Sequence, residues 1–185
     1  ISLADTLPRA VIAAHSSADD QYQDYEFAGL DTSEQAFSLG YNILECGFQV
    51  ILDMNSYAQL DMAVMIQVNV IRGMFKWAND NPGKRVPSYV YLDEAQRFLP
   101  QNLNDSVIKN KELIQGLLDA YMDILAIGGK RGLNPLILTQ RFAQVNNKIM
   151  AQSEVFFLMR QTHDTDLKRC MEYASDPITK EQISK

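Results

Sequence analysis

Short apolar runs alternate along the chain with stretches whose apolar residues recur at helical spacing. The runs predict strands over 10–14, 48–52, 88–92, 135–138 and 154–159. The helical spacing predicts helices over 34–45, from residue 56 or 61 to 77, over 107–127, and from residue 164 or 165 to 173. Residues 19–31 are polar and predict a loop, and Gly47 and the pair Gly128-Gly129 predict helix ends. Strands that alternate with helices favour an α/β fold with a mostly parallel sheet and helices on both faces.

Two acids follow the strand predicted at 88–92. Asp93 and Glu94 come directly after the apolar run Tyr-Val-Tyr-Leu, at the carboxyl end where open α/β sheets bind their ligands. Adjacent carboxylates at a buried strand end are costly unless a cation or a reacting group uses them. The pattern is that of a Walker B motif, in which the first acid holds Mg²⁺ through water and the second activates the attacking water. An ordinary strand followed by a capping Asp and a first-turn Glu remains the alternative.

Polar residues follow other predicted strands as well. Because the carboxyl ends of parallel strands lie on one edge of a sheet, these side chains could surround a single phosphate or Mg²⁺ site. The alternative is that every strand must end in contact with water. The residues concerned are Asp53, then Asp93-Glu94, then Thr139-Gln140-Arg141, and finally Arg160-Gln161.

Composition fits one ordinary globular domain over residues 1–185. Apolar residues make up 46% and charged residues 22% of the chain, and no apolar run approaches the roughly 20 residues of a membrane span. The two cysteines match no metal spacing and are expected to be reduced and buried, which favours the cytoplasm. The net charge of −6 comes from residues 1–85, with 5 Lys/Arg against 11 Asp/Glu, whereas residues 86–185 hold 12 of each. With no basic stripe in the sequence, DNA contacts are expected mainly from an assembly or from other parts of the protein.

Residues 89–98, followed after one helix by 129–141, resemble the core of the HerA–FtsK superfamily. These are hexameric P-loop ATPases that pump or remodel DNA, and they include conjugation, type IV secretion and viral genome-packaging ATPases. The shared pattern is a Walker B strand, a helix, a basic residue before a Gly-hydrophobic pair, and a strand ending in Thr-Gln-Arg. The resemblance extends over about residues 86–170. It implies a RecA-like P-loop NTPase core that uses ATP and Mg²⁺.

The resemblance also implies roles for individual residues. Asp93 would hold the water shell of Mg²⁺, Glu94 would be the catalytic base, and Gln140 would sense the γ-phosphate. Arg131, or else Lys130, would be the basic finger that reaches the nucleotide of a neighbouring subunit in a homo-oligomeric ring. Arg160 could face the same nucleotide. From the residues alone, Lys130-Arg131 could equally favour a helix C-terminus, and Arg141 could be a surface charge.

The chain lacks a Walker A motif, because neither Gly83-Lys84 nor Gly129-Lys130 is followed by Ser or Thr. The expectation is therefore the C-terminal part of an ATPase domain, incomplete at its N-terminus and inactive alone, without tightly bound nucleotide. The parent would be cytoplasmic, and attachment to a membrane through its other parts is left open. The second hypothesis is a non-catalytic adaptor with a degenerate P-loop NTPase fold. A Gly-x-x-x-x-Gly-Lys-Thr/Ser sequence ahead of Ile1 would favour the ATPase.

Overall fold

The computed structural model describes residues 9–13, 25–28, 33–47, 49–52, 60–106 and 108–174. The described strands are Arg9–Ala13 (β1), Tyr25–Ala28 (β2), Gln49–Leu52 (β3), Ser88–Leu92 (β4) and Leu133–Ile137 (β5). The described α-helices are Ser33–Cys46 (α1), Leu60–Asp80 (α2), Ala95–Phe98 (α3), Lys111–Asp123 (α4), Gly129–Arg131 (α5), Asn147–Gln152 (α6) and Asp164–Tyr173 (α7). The α/β class is confirmed, and α1, α2 and α7 lie within a few residues of their predicted bounds.

The described strands form two small sheets. β1 lies between β2 and β3 and pairs antiparallel with both, whereas β4 and β5 pair in parallel. The prediction of a mostly parallel sheet is therefore wrong for these strands, because an apolar run indicates a strand without fixing the direction of its neighbour. The predicted loop 19–31 is also corrected, since it contains β2. The strand is only four residues long, and the polar residues on both sides of it favour a loop.

Two segments that were expected to be buried in a sheet expose apolar side chains in the described structure. Tyr89 and Tyr91 of β4 are 62% and 67% exposed, so no described helix covers that face. Residues 154–159, predicted as a strand, form no regular element and pair with no described strand. Inward and outward side chains still alternate in this segment. Phe156 packs on Phe142, with ring centroids 6.0 Å apart, whereas Phe157 points outward and is 86% exposed.

The core lies mainly between helices. α1 crosses α2 so closely that a Cβ atom on Gly40 would overlap the carbonyl oxygen of Val70, and one on Gly73 would overlap that of Phe37. Side chains that are almost fully buried fill the space below this crossing and around α4 and β5. The largest of them are Trp77, Tyr121, Ile66, Ile71, Leu99, Ile114, Leu117, Ile124, Leu133 and Ile149.

The helix predicted over 107–127, which is α4, differs from its prediction at both ends. It begins at Lys111 rather than at residue 107, because the Asn110 side chain accepts hydrogen bonds from the backbone N–H groups of the first turn. It does not break at Gly128-Gly129, where a π-helical turn, Ile124–Gly128, continues into α5. Gly132, with φ of 88°, ends the helix instead.

Both cysteines are free, as expected, but Cys46 is exposed and only Cys170 is buried. Cys46 is the last residue of α1, where helix spacing alone does not place a side chain inside or outside the core. Among the described helices, none combines the length and the apolar character needed to cross a bilayer.

Candidate functional site

The carboxyl ends of β4 and β5 bring the predicted site residues side by side. The two strands pair in register, with Ser88 opposite Leu133 and Leu92 opposite Ile137. The pairing continues past the strands, since Leu138 N donates to Leu92 O at 2.9 Å and Ala95 N donates to Leu138 O at 3.0 Å. The residues that follow each strand therefore share one edge, as the sequence predicted for this pair.

Glu94 leaves β4 in an unusual backbone conformation. Its φ of 52° and ψ of 42° are left-handed, and no other non-glycine residue in the described part of the chain has a positive φ. Its N–H donates to Asp93 Oδ1 at 2.8 Å, and α3 begins at the next residue without a side-chain cap. The alternative of a helix-capping Asp93 and a first-turn Glu94 is thus not what the structure shows. Left-handed geometry at a residue with a Cβ is a conformation that functional sites often hold.

The Glu94 carboxylate is held from two directions. Gln140 Nε2, from the end of the neighbouring strand, donates to Glu94 Oε1 at 2.5 Å. Gln96 Nε2 donates to the other oxygen, Oε2. The carboxylate is half-buried, whereas Asp93 and Gln140 are exposed and open to a ligand. The acid and the amide predicted to act on one γ-phosphate are therefore in direct contact.

Gln96 and Thr139 complete this network, and the sequence does not single out Gln96. Thr139 Oγ1 donates to Gln96 Oε1 at 2.5 Å and accepts from Arg141 N at 3.1 Å. Gln96 thus links Glu94 to the end of β5 by a second route. The only signal in the sequence is that Gln96 stands two residues after Glu94. Residues at that spacing do not face each other on a helix, so the pattern gives no reason to pair them.

Arg141 is not the surface charge considered from the sequence. Its Nε donates to Asp166 Oδ2 at 2.9 Å, and the second Asp166 oxygen, Oδ1, accepts from Ala143 N at 2.7 Å. Asp166 is 1% exposed, so this ion pair joins α7 to the loop after β5 inside the protein. A buried carboxylate with both oxygens satisfied in this way fixes the position of the loop.

The two other predicted basic residues do not join this edge within the described structure. Arg131 precedes β5 and Gln140 follows it, so the strand, five residues and about 16 Å long, lies between them. It donates to Asn79 Oδ1 and lies over the Phe75 ring at 5.7 Å. Arg160 is exposed, follows a segment that is no longer a strand end, and makes no hydrogen bond or ion pair with another described residue. Asp53 lies outside the described residues.

This edge could hold Mg²⁺ through water, but it could not enclose the ion in protein ligands alone. Mg²⁺ uses one or two carboxylates, several waters and substrate phosphates, and Asp93 supplies one exposed carboxylate. Among the described residues no group of three or more His, Cys, Asp or Glu side chains could enclose a metal. No Walker A sequence stands anywhere in the chain to cradle phosphates.

Asp93, Glu94 and Gln140 are thus gathered at one edge, with Gln96 and Thr139 added to them. Comparison of the sequence with protein-family models and with curated proteins gives no match. An assignment of function therefore depends on the chemistry of this edge.

Proposed function

We propose that this chain carries the Walker B and sensor strands of an ATP-hydrolysing, DNA-translocating or conjugation and secretion ATPase with a RecA-like P-loop core. The observation that supports the proposal most directly is the 2.5 Å hydrogen bond from Gln140 Nε2 to Glu94 Oε1. It joins an acid after one strand to an amide after its parallel neighbour, where α/β proteins bind ligands.

In the proposed reaction Glu94 is the base. A water oxygen attacks the γ-phosphorus, the bond from that phosphorus to the β–γ bridging oxygen breaks, and Glu94 takes the proton of the water. Mg²⁺ bound through water at Asp93 would supply charge neutralisation at the phosphates. The Gln140 amide, which donates to Glu94 here, would donate to a γ-phosphate oxygen instead, leaving Glu94 Oε1 to accept from the water.

The proposed assembly is a ring of identical subunits. Arg131 lies at the opposite end of β5 from Gln140, so it could reach a nucleotide only in a neighbouring subunit. Such a role requires Arg131 to exchange its contacts with Asn79 and Phe75 for a phosphate. Arg160, exposed after residues 154–159, is proposed as a further nucleotide contact.

The test is Glu94→Gln in the full-length protein. The variant should bind ATP normally and lose turnover by orders of magnitude, because an amide cannot accept the proton. Glu112→Gln, an equivalent change at an exposed residue of α4, is the matched control and should keep normal kcat. Near-normal turnover by Glu94→Gln would make Glu94 a structural residue and refute the assignment.

The chain by itself should hydrolyse ATP negligibly, because it lacks a Walker A cradle while retaining Asp93, Glu94 and Gln140. Phosphate release by purified residues 1–185 measures this. Robust turnover that Glu94→Gln abolishes would contradict the expectation that the cradle must be supplied by other residues.

A non-catalytic adaptor is the second candidate. The observation in its favour is that both Glu94 oxygens already accept hydrogen bonds, from Gln140 and Gln96. In an adaptor this network would only stabilise the fold. Glu94→Gln would then lower stability and leave ATP turnover in the parent assembly unchanged, which distinguishes the two candidates.

A further inference from the structure

A cleft of about 340 Å³ between α2 and α4 has charged rims and an apolar lining. Three helices supply the apolar side chains: Phe37 of α1, Ile71 and Phe75 of α2, and Ala120 of α4. Ile71 and Ala120 are buried and the two phenylalanines are half-buried. The charged residues of the cleft are exposed, so the apolar lining lies deeper than they do.

The two sides of this cleft carry charges of opposite sign. On α2, Arg72 and Lys76 stand four residues apart, and on α4 Asp119 and Asp123 have the same spacing. Four residues of a helix cover about one turn, or about 6 Å along the axis. Each side therefore presents a short row of one sign that follows its own helix.

No ion pair crosses the cleft within the described part of the chain. Lys76 and Asp119 each bond a neighbour on their own helix instead. Arg72 and Asp123 make no hydrogen bond or ion pair with another described residue. The two rows cancel in net charge, which disfavours a ligand of one sign, and they leave one cation and one anion free for a partner.

Gly116 of α4 leaves open space at the same cleft. A glycine inside a helix destabilises that helix relative to alanine. At Gly40 and Gly73 a reason is visible, because a Cβ would overlap the backbone of the neighbouring helix. A Cβ on Gly116 would meet no atom within 4 Å. Nothing in the described structure requires this glycine, whereas a second helix that approaches α4 closely would.

The walls of the cleft indicate what kind of segment fits. Both walls are helices, whose interior N–H and C=O groups bond within the helix and offer nothing to an incoming backbone. An extended segment would lose the water on its own backbone groups without gaining partners. A helix satisfies its backbone internally, and its residues one turn apart match the spacing of the charged rows.

The described helices of a second copy of this chain do not fit the cleft. A docking helix must present apolar side chains to the lining. None of α1 to α7 has a large apolar side chain that is exposed. In the described residues such side chains lie on strands, on the π-helical turn or outside regular elements. The occupant is therefore sought in another protein.

We propose that this cleft docks an amphipathic α-helix of a partner protein. The apolar stripe of that helix packs on Phe37 and Phe75 and lies close to Gly116. Acids along one edge of the stripe pair with Arg72, and bases along the other edge pair with Asp123. The proposal rests on neither the ATPase activity nor the ring, since none of the residues assigned to them lines the cleft.

The test is selection from a phage-displayed library of helical peptides, with residues 1–185 as the bait. Each peptide has about 18 residues, which is enough for a stable helix when the sequence favours one. It carries an apolar stripe at helical spacing, and the positions along both edges vary between Glu and Lys. The baits are the wild type, Arg72→Glu and Asp123→Lys. Their net charges are −6, then two lower at −8, and two higher at −4.

The wild type should select peptides with Glu along one edge and Lys along the other. Arg72→Glu should replace a selected Glu with Lys, and Asp123→Lys should replace a selected Lys with Glu. In fluorescence anisotropy, each variant should bind the peptide selected by the wild type about threefold to tenfold more weakly, because an exposed attraction becomes a repulsion. The net charge of the bait cannot explain two losses, since it changes in opposite directions.

Gly116→Met tests the location of the bound peptide, because it fills the cleft from α4. Binding of the selected peptide should weaken about tenfold or more, as overpacking predicts. The variant should melt no lower than the wild type, since methionine favours a helix more than glycine does. Gly83→Met is the matched control, because it places the same side chain in open space outside the cleft. It should leave the affinity unchanged.

Three results would overturn the proposal. A wild type that enriches no peptide would exclude a helix site. Edge residues that stay the same with Arg72→Glu and Asp123→Lys would show that the charged rows contact nothing. Affinity that Gly116→Met leaves unchanged, or lowers no more than Gly83→Met does, would place the peptide on another surface. Arg131, which lies over the Phe75 ring, is kept in every bait, so the outcome does not depend on its proposed role in a ring.

Discussion

The left-handed backbone at Glu94 can be tested by stability alone, without any assay of function. The comparison is Glu94→Gly against Glu94→Ala. Both substitutions remove the carboxylate and the hydrogen bonds that it accepts from Gln96 and Gln140. Both leave the Asp93 side chain free to accept from the backbone N–H of residue 94. The two variants therefore differ in the cost of placing a Cβ at φ 52° and ψ 42° and in the conformational freedom that glycine loses on folding.

Two terms set the expected difference. A residue with a Cβ pays about 1–2 kcal/mol in the left-handed region, and glycine pays almost nothing. Glycine loses more conformational freedom on folding, which costs about 0.5–1 kcal/mol relative to alanine. A control pair at Ser38, exposed within α1, contains only the second term. Subtracting the Ser38 pair from the Glu94 pair should therefore leave about 1–2 kcal/mol in favour of glycine.

Urea unfolding followed by circular dichroism measures the free energy of unfolding of all four variants. At Ser38 the glycine variant should be less stable than the alanine variant, and at Glu94 this order should be reversed or cancelled. A difference between the two pairs that is close to zero would show that residue 94 is not left-handed in solution. That result would refute the left-handed turn that directs the Glu94 carboxylate towards Gln140.

Three further outcomes are expected. Gly73→Ala should lower the free energy of unfolding by about 3 kcal/mol or more, because the new Cβ meets the backbone of α1, whereas Gly83→Ala, with open space around it, should be almost neutral in urea unfolding. Cys46 should react quickly with a thiol reagent and Cys170 only on unfolding, because burial raises the pKa of the Cys170 thiol and the nearby Asp166 carboxylate raises it further; equal labelling rates would contradict this. In the proposed ring, Arg131→Ala should lower turnover by about 10³–10⁵ without changing the nucleotide affinity of an isolated subunit, and mixing it with a Glu94→Gln subunit should restore some activity. Co-assembled mixtures no more active than either parent would argue against the finger.

Local patterns in the sequence predict elements well and their pairing poorly. Ser88–Leu92 is predicted to the residue, because a short apolar run there is bounded by polar residues. The antiparallel direction of β1 against β3 depends on non-local pairing that no local pattern contains. The helix end predicted at Gly128-Gly129 is wrong for a different reason. Gly128 reads as a helix break, yet here it serves close packing, since a Cβ would lie 2.7 Å from the carbonyl oxygen of Leu133.

At the two edges of β4 and β5, too, the sequence predicts some of the neighbouring residues and not others. Glu94 and Gln140 are predictable as neighbours because each lies within three residues of the carboxyl end of its strand, and the two strands pair in parallel and in register. By the same pairing, the two basic pairs that precede these strands, Lys84-Arg85 and Lys130-Arg131, meet at the amino edge and could have been predicted in the same way. Gln96 could not, because it faces Glu94 only through the left-handed turn at residue 94.

Thr139, Gln140 and Arg141, which follow β5 after Leu138, contact three different neighbours, and these contacts limit how the site can move. Thr139 bonds Gln96, Gln140 bonds Glu94, and Arg141 bonds the buried Asp166 of α7. A shift of this tripeptide would therefore disturb both supports of the Glu94 carboxylate and the anchor of α7 together. Asp166 resists such a shift, since leaving a buried carboxylate unpaired costs about 3–5 kcal/mol. A ligand that takes the Gln140 amide from Glu94 would consequently do so by turning that exposed side chain, with Thr139 and Arg141 remaining in place.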